Sequence, residues 1–358
     1  MSVETDNSIK TKTIMMKASK GKWLLGLVVL LTMLTSCGSK KTIVTYTPEE
    51  SGLNMVKITD ESKNSVLASG QSRSILKYNF SNSTLAGSSK QRFMWGSMRT
   101  LSISPDGKRL AYMTLVNDKS NVMVRSTGSQ GGATQRTFRN VYDFSWGTDG
   151  KFYFSDVNGE NIYICSVGDG QGNMITQITN GTVRDQNPVS IDGRRVFFTR
   201  TNPKYGPSVW MLNREDGMLT SCATGYMPCL IPGNPDAFYC VRNSSNGRSE
   251  IWYVDYVKGQ ETLILTDENH SFSHPSLSPD GKWIVCQGSN RSSGKKGVIN
   301  LDIYAVRIDG TDLTQLTYNT CSDTNPVFSP DGKYIYFIST RGTKDDYYNV
   351  WRMTVRLD

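Results

Sequence analysis

The chain has only two histidines, four residues apart in His270-Ser271-Phe272-Ser273-His274-Pro275. Two imidazoles at that spacing could form part of a divalent metal site, but a manganese or zinc site would want a third ligand of the same kind. His274 also stands where related parts of the chain carry Asn187 and Asn325, so it reads as one variant of a repeated position. Nucleophilic hydrolysis would need a Gly-x-Ser-x-Gly elbow with a partner His, and the sequence contains no such elbow. There is no Cys-x-x-Cys pair of the zinc-binding kind. No glycine-rich phosphate loop stands between a strand pattern and a helix pattern. The residues therefore lead us to expect no catalytic group, no metal and no cofactor.

A set of polar residues remains that could line a binding surface: Arg184, Asp185, Asn187, Tyr226, His270, His274, Asp323 and Asn325. Whether they meet depends on the elements that carry them. Those elements are repeats. Ser104-Pro105-Asp106-Gly107-Lys108 recurs at 278–282 and 329–333, with weaker copies around Gly150, Gly193 and Ala237. The glycine-equivalent positions 107, 150, 193, 237, 281 and 332 are about one propeller-blade length apart. Each copy lies between two short apolar stretches, such as Leu101-Ser102-Ile103 and Leu110-Ala111-Tyr112. Proline presets φ, aspartate binds nearby backbone N–H groups and glycine takes φ > 0, which makes each copy a tight turn. A third stretch carries an aliphatic–aromatic pair, as in Ile162-Tyr163, Val209-Trp210, Ile251-Trp252, Ile303-Tyr304 and Val350-Trp351. A fourth often ends in Leu/Ile-Thr.

Four short strands per repeat describe an all-β propeller of four-stranded antiparallel blades. A single such sheet cannot bury both faces, so the blades must stack around an axis. The aromatic pairs are read as blade-to-blade packing. Glu61-Ser62-Lys63 reads as one further, degenerate turn. On that reading Met55–Phe80 is a first blade and the total is seven, with six as the alternative. Thr42–Tyr46 resembles a fourth strand and would close the ring by joining the last blade. The loops leading into the innermost strands would then gather the eight polar residues at the channel mouth, where a rigid concavity could bind a ligand. Arg200, Arg242, Arg291 and Arg341 each follow a second strand, and acids such as Glu250, Asp302 and Asp346 precede third strands. These arginines are expected to bridge loops of their own blades.

The Ser-Pro-Asp-Gly-Lys turn followed by an apolar strand resembles the PD40 repeat of TolB-like propellers, over residues 42–358. That resemblance implies a binding module with a protein partner. TolB also carries an N-terminal α/β domain, and residues 38–53 are too few to supply one. Prolyl-oligopeptidase-like enzymes share such propellers but add the hydrolase domain whose elbow this sequence lacks. Oligogalacturonide lyases use a similar propeller with histidines around a metal. A metal-dependent glycan lyase at the channel mouth is the alternative function.

The N-terminus reads as an export signal. Lys17, Lys20 and Lys22 precede an apolar run from Trp23 to Leu34, too short to span a bilayer comfortably. The run ends in Leu34-Thr35-Ser36-Cys37-Gly38, which resembles a lipobox. Residues 1–36 are thus expected to be a signal peptide, Cys37 to be lipidated, 37–53 to be a linker with the closing strand, and 54–358 to form the propeller. Lipid chains would hold the protein to a membrane, with the periplasmic face of the outer membrane expected and the cell surface as the other option. No Lys/Arg block marks a nucleic-acid footprint. An envelope protein or peptide is the expected partner and a glycan a further one. Cys165, Cys240 and Cys286 sit in apolar patterns and are expected to be buried thiols. Any disulfide would most readily join Cys222 and Cys229.

Overall fold

In a computed structural model, Ser104-Pro105-Asp106-Gly107 reverses the chain, with Gly107 at φ 71°. Its backbone N–H donates to the Ser104 carbonyl at 2.8 Å. The Ser104 hydroxyl donates to Asp106 Oδ1 at 2.5 Å, and the same carboxylate oxygen accepts from Lys108 N at 3.1 Å. The copies at Ser278 and Ser329 use the same bonds. The structure describes residues 47–60, 66–68, 98–117, 119–128, 131–158, 161–170, 174–180, 183–202, 204–290, 300–343 and 347–357. Cys37, the leader, the 42–46 strand, Arg291 and Asp346 lie outside these residues.

Each turn joins the first two strands of a four-stranded antiparallel sheet. Blade 1 comprises Leu101–Ile103, Arg109–Val116, Lys119–Ser126 and Thr134–Gln135. Blade 2 comprises Val141–Trp146, Lys151–Asn158, Asn161–Gly168 and Thr176–Gln177. Blade 3 runs through Arg184–Val189, Arg195–Asn202, Gly206–Asn213 and Leu219–Thr224. Blade 4 runs through Tyr226–Ile231, Asn234–Asn243, Ser249–Asp255 and Gln260–Leu265. Blade 5 has His270–Leu277, Trp283–Asn290, Asn300–Arg307 and Thr314–Gln315. Blade 6 has Asp323–Phe328, Tyr334–Ser339 and Asn349–Thr354, and its outermost strand is Val56–Lys57, which pairs with Arg352 and Trp351.

The blade count of six corrects the expectation of seven. The innermost strands touch in sequence around the ring, and that of blade 6 meets that of blade 1. No gap is left there for another sheet. The described part of 55–80 has other work. Val56–Lys57 completes blade 6, and Val66–Ala68 is buried in the seam between blades 6 and 1. Val66 N donates to Tyr348 O at 3.0 Å and Leu67 N to Met113 O at 2.8 Å. The supposed turn at Glu61 falls outside the described residues.

Packing between blades buries the apolar faces. Trp283, Val285 and Ile303 of blade 5 form one cluster with Phe328, Ile335, Phe337 and Trp351 of blade 6. Each large apolar side chain moved from water contributes about 1.5–3 kcal/mol, so these seams hold the ring together. The aliphatic member of every expected pair is fully buried: Ile162, Val209, Ile251, Ile303 and Val350. The six cysteines after Cys37 are all free, with Cys165, Cys240 and Cys286 buried as expected, so Cys222 and Cys229 are not joined.

One glycine is required by close approach. Gly225, between blades 3 and 4, has φ 120°, and a Cβ there would stand 2.8 Å from Val241 O. Gly225→Ala should therefore lower stability by about 1–3 kcal/mol, the scale of local backbone strain, read as a shift in a urea unfolding midpoint at unchanged slope.

Candidate functional site

Where the innermost strands approach the axis, each of five carries an irregularity. The ladder slips between Val141 and Phe144, Gln186 and Val189, Tyr226 and Cys229, Ser273 and Ser276, and Thr324 and Val327. In blades 3 to 6 the slip holds an X-Pro dipeptide whose first residue has positive φ: Asn187 (53°), Met227 (55°), His274 (57°) and Asn325 (53°). Proline cannot donate to a ladder, and a bulge is the place inside a sheet where that loss is tolerated. The bulges turn backbone and side-chain polar groups toward the neighbouring blade.

A relay of hydrogen bonds results. Asn187 N and Nδ2 donate to Asp143 Oδ2 at 2.9 and 2.6 Å. Met227 N donates to Thr199 Oγ1 at 3.0 Å, and that hydroxyl donates to Asn187 Oδ1. Asn325 N donates to Gln287 Oε1 at 3.1 Å, and Thr100 N donates to Asn325 Oδ1 at 3.2 Å. Phe144 N donates to Arg99 O at 3.1 Å. Burial, against the opposing hydrogen bonds of Ser155 and Asn187, pushes the Asp143 carboxyl up to about 7.

The eight residues singled out from the sequence fall into two groups. Asn187, His274 and Asn325 belong to this relay at the axis. The others are bound within their blades. Asp185 is fully buried and takes Arg200 Nε and Nη2 on its two oxygens at 2.8 and 2.9 Å. Asp323 is fully buried against Arg341. The Tyr226 hydroxyl meets Asn243 and Ser249 at 3.2 and 3.1 Å. His270 stacks on Phe272, meets Tyr304 edge-on, and its Nδ1 lies 2.8 Å from Asp267. Arg184 is half-buried and pairs with Thr201 across the sheet. The three recurring arginines that are described pair within their own blades, but with acids of first and fourth strands and not with loops or with the acids before third strands. Arg200, Arg242 and Arg341 pair with Asp185, Glu261 and Asp323, and each lies over the ring of the tryptophan ten residues on, Trp210, Trp252 and Trp351.

His274 is buried, with Nε2 2.9 Å from Met98 O and Nδ1 3.1 Å from Ser273 Oγ. Burial pushes its pKa down to about 3. A lowered histidine pKa means that the unfolded chain takes up a proton that the folded one refuses. The stability His274 contributes is present above about 6.5 and is lost as pH falls toward 3. The expected slope is at most about 1.4 kcal/mol per pH unit. Asp143 has the opposite sign, since its raised pKa withdraws stability as pH rises from about 4 to 7. Urea unfolding of wild type and His274→Asn between pH 7 and 4 isolates the histidine, and the variant should lose less stability on acidification.

The concavity is lined by these bulges themselves, His274 and Asn325 among them, and extends from there toward the turns after the innermost strands, at Thr148, Ser190 and Ile191. It has a volume of about 240 Å³ and takes walls from every blade, among them Ser102, Phe144, Ile191, Leu230, Ser276 and Val327. Arg99 also lines it. Its Nη2 donates to Pro228 O at 2.7 Å, joining blade 1 to blade 4. Its Nη1 is buried without a hydrogen-bond partner among the described residues. Burial pulls this guanidinium below the ordinary arginine value, against the pull of Cys229 and Asp143. The sequence offered one signal for this axis, the repeated X-Pro step, and none for Arg99.

A ring of four-stranded antiparallel blades with a cavity along its axis is a β-propeller. Residues 241–354 match the family described as PD40, TolB beta propeller domain, and the propeller is TolB-like. A Tol-Pal system protein TolB from Francisella tularensis is 31% identical over 96 residues, covering 27% of this chain and 20% of that protein. An uncharacterised protein of Agrobacterium fabrum is 24% identical over 200 residues, covering 54% of this chain and 64% of its own length. The chain thus spans less than two thirds of either relative. TolB from Acinetobacter baumannii superposes with TM-score 0.53 at 17% identity, over 70% of this chain and 64% of that one. An oligogalacturonate lyase from Vibrio parahaemolyticus superposes with TM-score 0.51 at 10% identity, over 89% and 99%. At those identities the likeness is one of fold.

Proposed function

We propose that this chain is a lipid-anchored propeller of the cell envelope that binds a protein partner, a segment of which docks in the axial cavity. The observation that carries the reading is the cavity, a preformed hollow with apolar walls to which all six blades contribute. Rigid walls spare a ligand the ordering of loops, which is how preorganised sites gain affinity. The similarity to a Tol-Pal system protein supports a protein partner in the envelope.

The anchor rests on Cys37 and the apolar run before it. Metabolic labelling with a palmitate analogue should mark the wild-type protein, and Cys37→Ala should abolish the label and release the protein from membranes. Retained label in that variant would remove the anchor from the account. Affinity capture of the anchored protein from its native envelope should recover a protein partner in near-stoichiometric amount; recovery of none would count against the docking role. The glycan-lyase alternative is supported by the shared fold alone. Stoichiometric metal in purified protein, lost on His270→Ala, would establish it in place of the binding role.

A further inference from the structure

The cavity has chemistry as well as shape. Among the described residues that line it there is no carboxylate, and Arg99 is the charged one. One guanidinium nitrogen is spent on Pro228 O, while Nη1 is buried and unpartnered. Asp143, the acid nearest in electrostatic effect, directs its oxygens to Ser155 and Asn187. On the wall, Ser145 Oγ is buried and unpartnered. Ser102 and Ser276 accept from Trp146 N and Phe328 N, which leaves their hydroxyl protons to donate. Unpaired buried donors of this kind favour an acceptor that carries charge, and a guanidinium suits a carboxylate best.

A second hollow of about 120 Å³ lies between blades 3 and 4, lined by Phe197 and Pro235 among others. It shares Ile191 and Leu230 with the axial cavity, so the two hollows adjoin. A small acid would fill only the first. A chain end could occupy both, with its last residue at the axis and the preceding ones in the groove.

Resting on the docking reading above, we propose that the cavity recognises the free C-terminal carboxylate of a protein partner, with Arg99 as its anchor and the groove between blades 3 and 4 as the path of the preceding residues. A charge-assisted hydrogen bond is worth about 1.5–3 kcal/mol, which corresponds to roughly tenfold or more in affinity.

The test uses the full anchored protein in detergent and random heptapeptides displayed either with free C-termini or at internal positions. Enriched sequences are resynthesised as free acids and as C-terminal amides. Binders should emerge from the free-terminus display, with amides at least about tenfold weaker than acids. Arg99→Met should weaken the acids at least about tenfold more than the amides, so that the two bind alike. The acid–amide comparison on wild type stands even if that variant fails to fold. Equal binding of acids and amides would overturn the carboxylate anchor and leave peptide docking intact. Competition by N-acetyl-leucine as strong as by the heptapeptides would make the ligand a small acid and overturn it too. Enrichment in neither display would overturn both this proposal and the docking reading.

Discussion

Arg341→Met is expected to cost the folded protein about 3–5 kcal/mol, the range for removing one partner of a buried charge cluster. Arg341 has no exposed surface, and neither do the side chains of its partners Glu50 and Asp323. Burial opposes its charge, but Asp323 and Glu50 together hold the guanidinium above the ordinary arginine value. Asp302 stands nearby, and burial followed by repulsion from Asp323 and Glu50 pushes its pKa up to about 7. Without the arginine these acids would remain in the seam with nothing to offset them. The same cluster ties Glu50, before the outermost strand of blade 6, to that blade's core, and Glu50 Oε1 also accepts from Tyr318 N of blade 5 at 2.8 Å. The loss therefore falls where the N-terminal segment joins the ring. Arg307 offers the contrast: its partner Asp312 is largely exposed, so breaking that pair should cost about 1 kcal/mol or less. Chemical denaturation of both variants checks the difference. Restoring neutrality with Glu50→Gln and Asp323→Asn in the Arg341→Met background should recover part of the loss. An Arg341 variant no weaker than an Arg307 variant would mean that the cluster does not hold the seam.

The fold was legible because its signals are local. A Pro-Asp-Gly turn specifies its own backbone, and its recurrence with aromatic strands after it admits few architectures. The count of blades was not local. It depended on whether Val56 and Val66 begin a sheet of their own or complete others, and apolar residues at those positions suit both. What decides it is the meeting of the first and last innermost strands, which no stretch of sequence encodes by itself. The site was less legible for a related reason. Asp185, Asp323 and Tyr226 look available as polar residues near strand starts, yet Arg200, Arg341 and Ser249 claim them across the sheet. Polar type gave no sign of that burial. Asn187, His274 and Asn325 did mark the axis, since each precedes proline in an innermost strand; they serve as struts of the ring, and His274 and Asn325 also line the cavity. Arg99 stands in Ser97-Met98-Arg99-Thr100, a context with no repeat copy and no charge pattern to single it out.

Closing the cavity should have the larger effect on function. Ser276→Trp places an indole into a hollow of about 240 Å³ that this serine lines, filling much of the volume a partner's chain would need. Partner capture from the native envelope should fall at least tenfold, while the unfolding midpoint falls only by the loss of the Phe328 N bond to Ser276, about 1 kcal/mol, since the added ring enters empty space. Ser276 also accepts from Phe328 N, so Val327→Trp on the next blade serves as an independent block. Both variants folding normally and capturing the partner as well as wild type does would place the interface elsewhere on the ring.

The most direct measurement is a covalent one. A photo-crosslinking amino acid at Thr148, exposed on the rim of the cavity, is compared with one at Thr262, exposed on the outermost strand of blade 4. Irradiated in the native envelope, the rim position should give a discrete adduct with a protein partner, and the outer strand should give none. An adduct from Thr262 alone, or from neither position, would contradict docking at the axis.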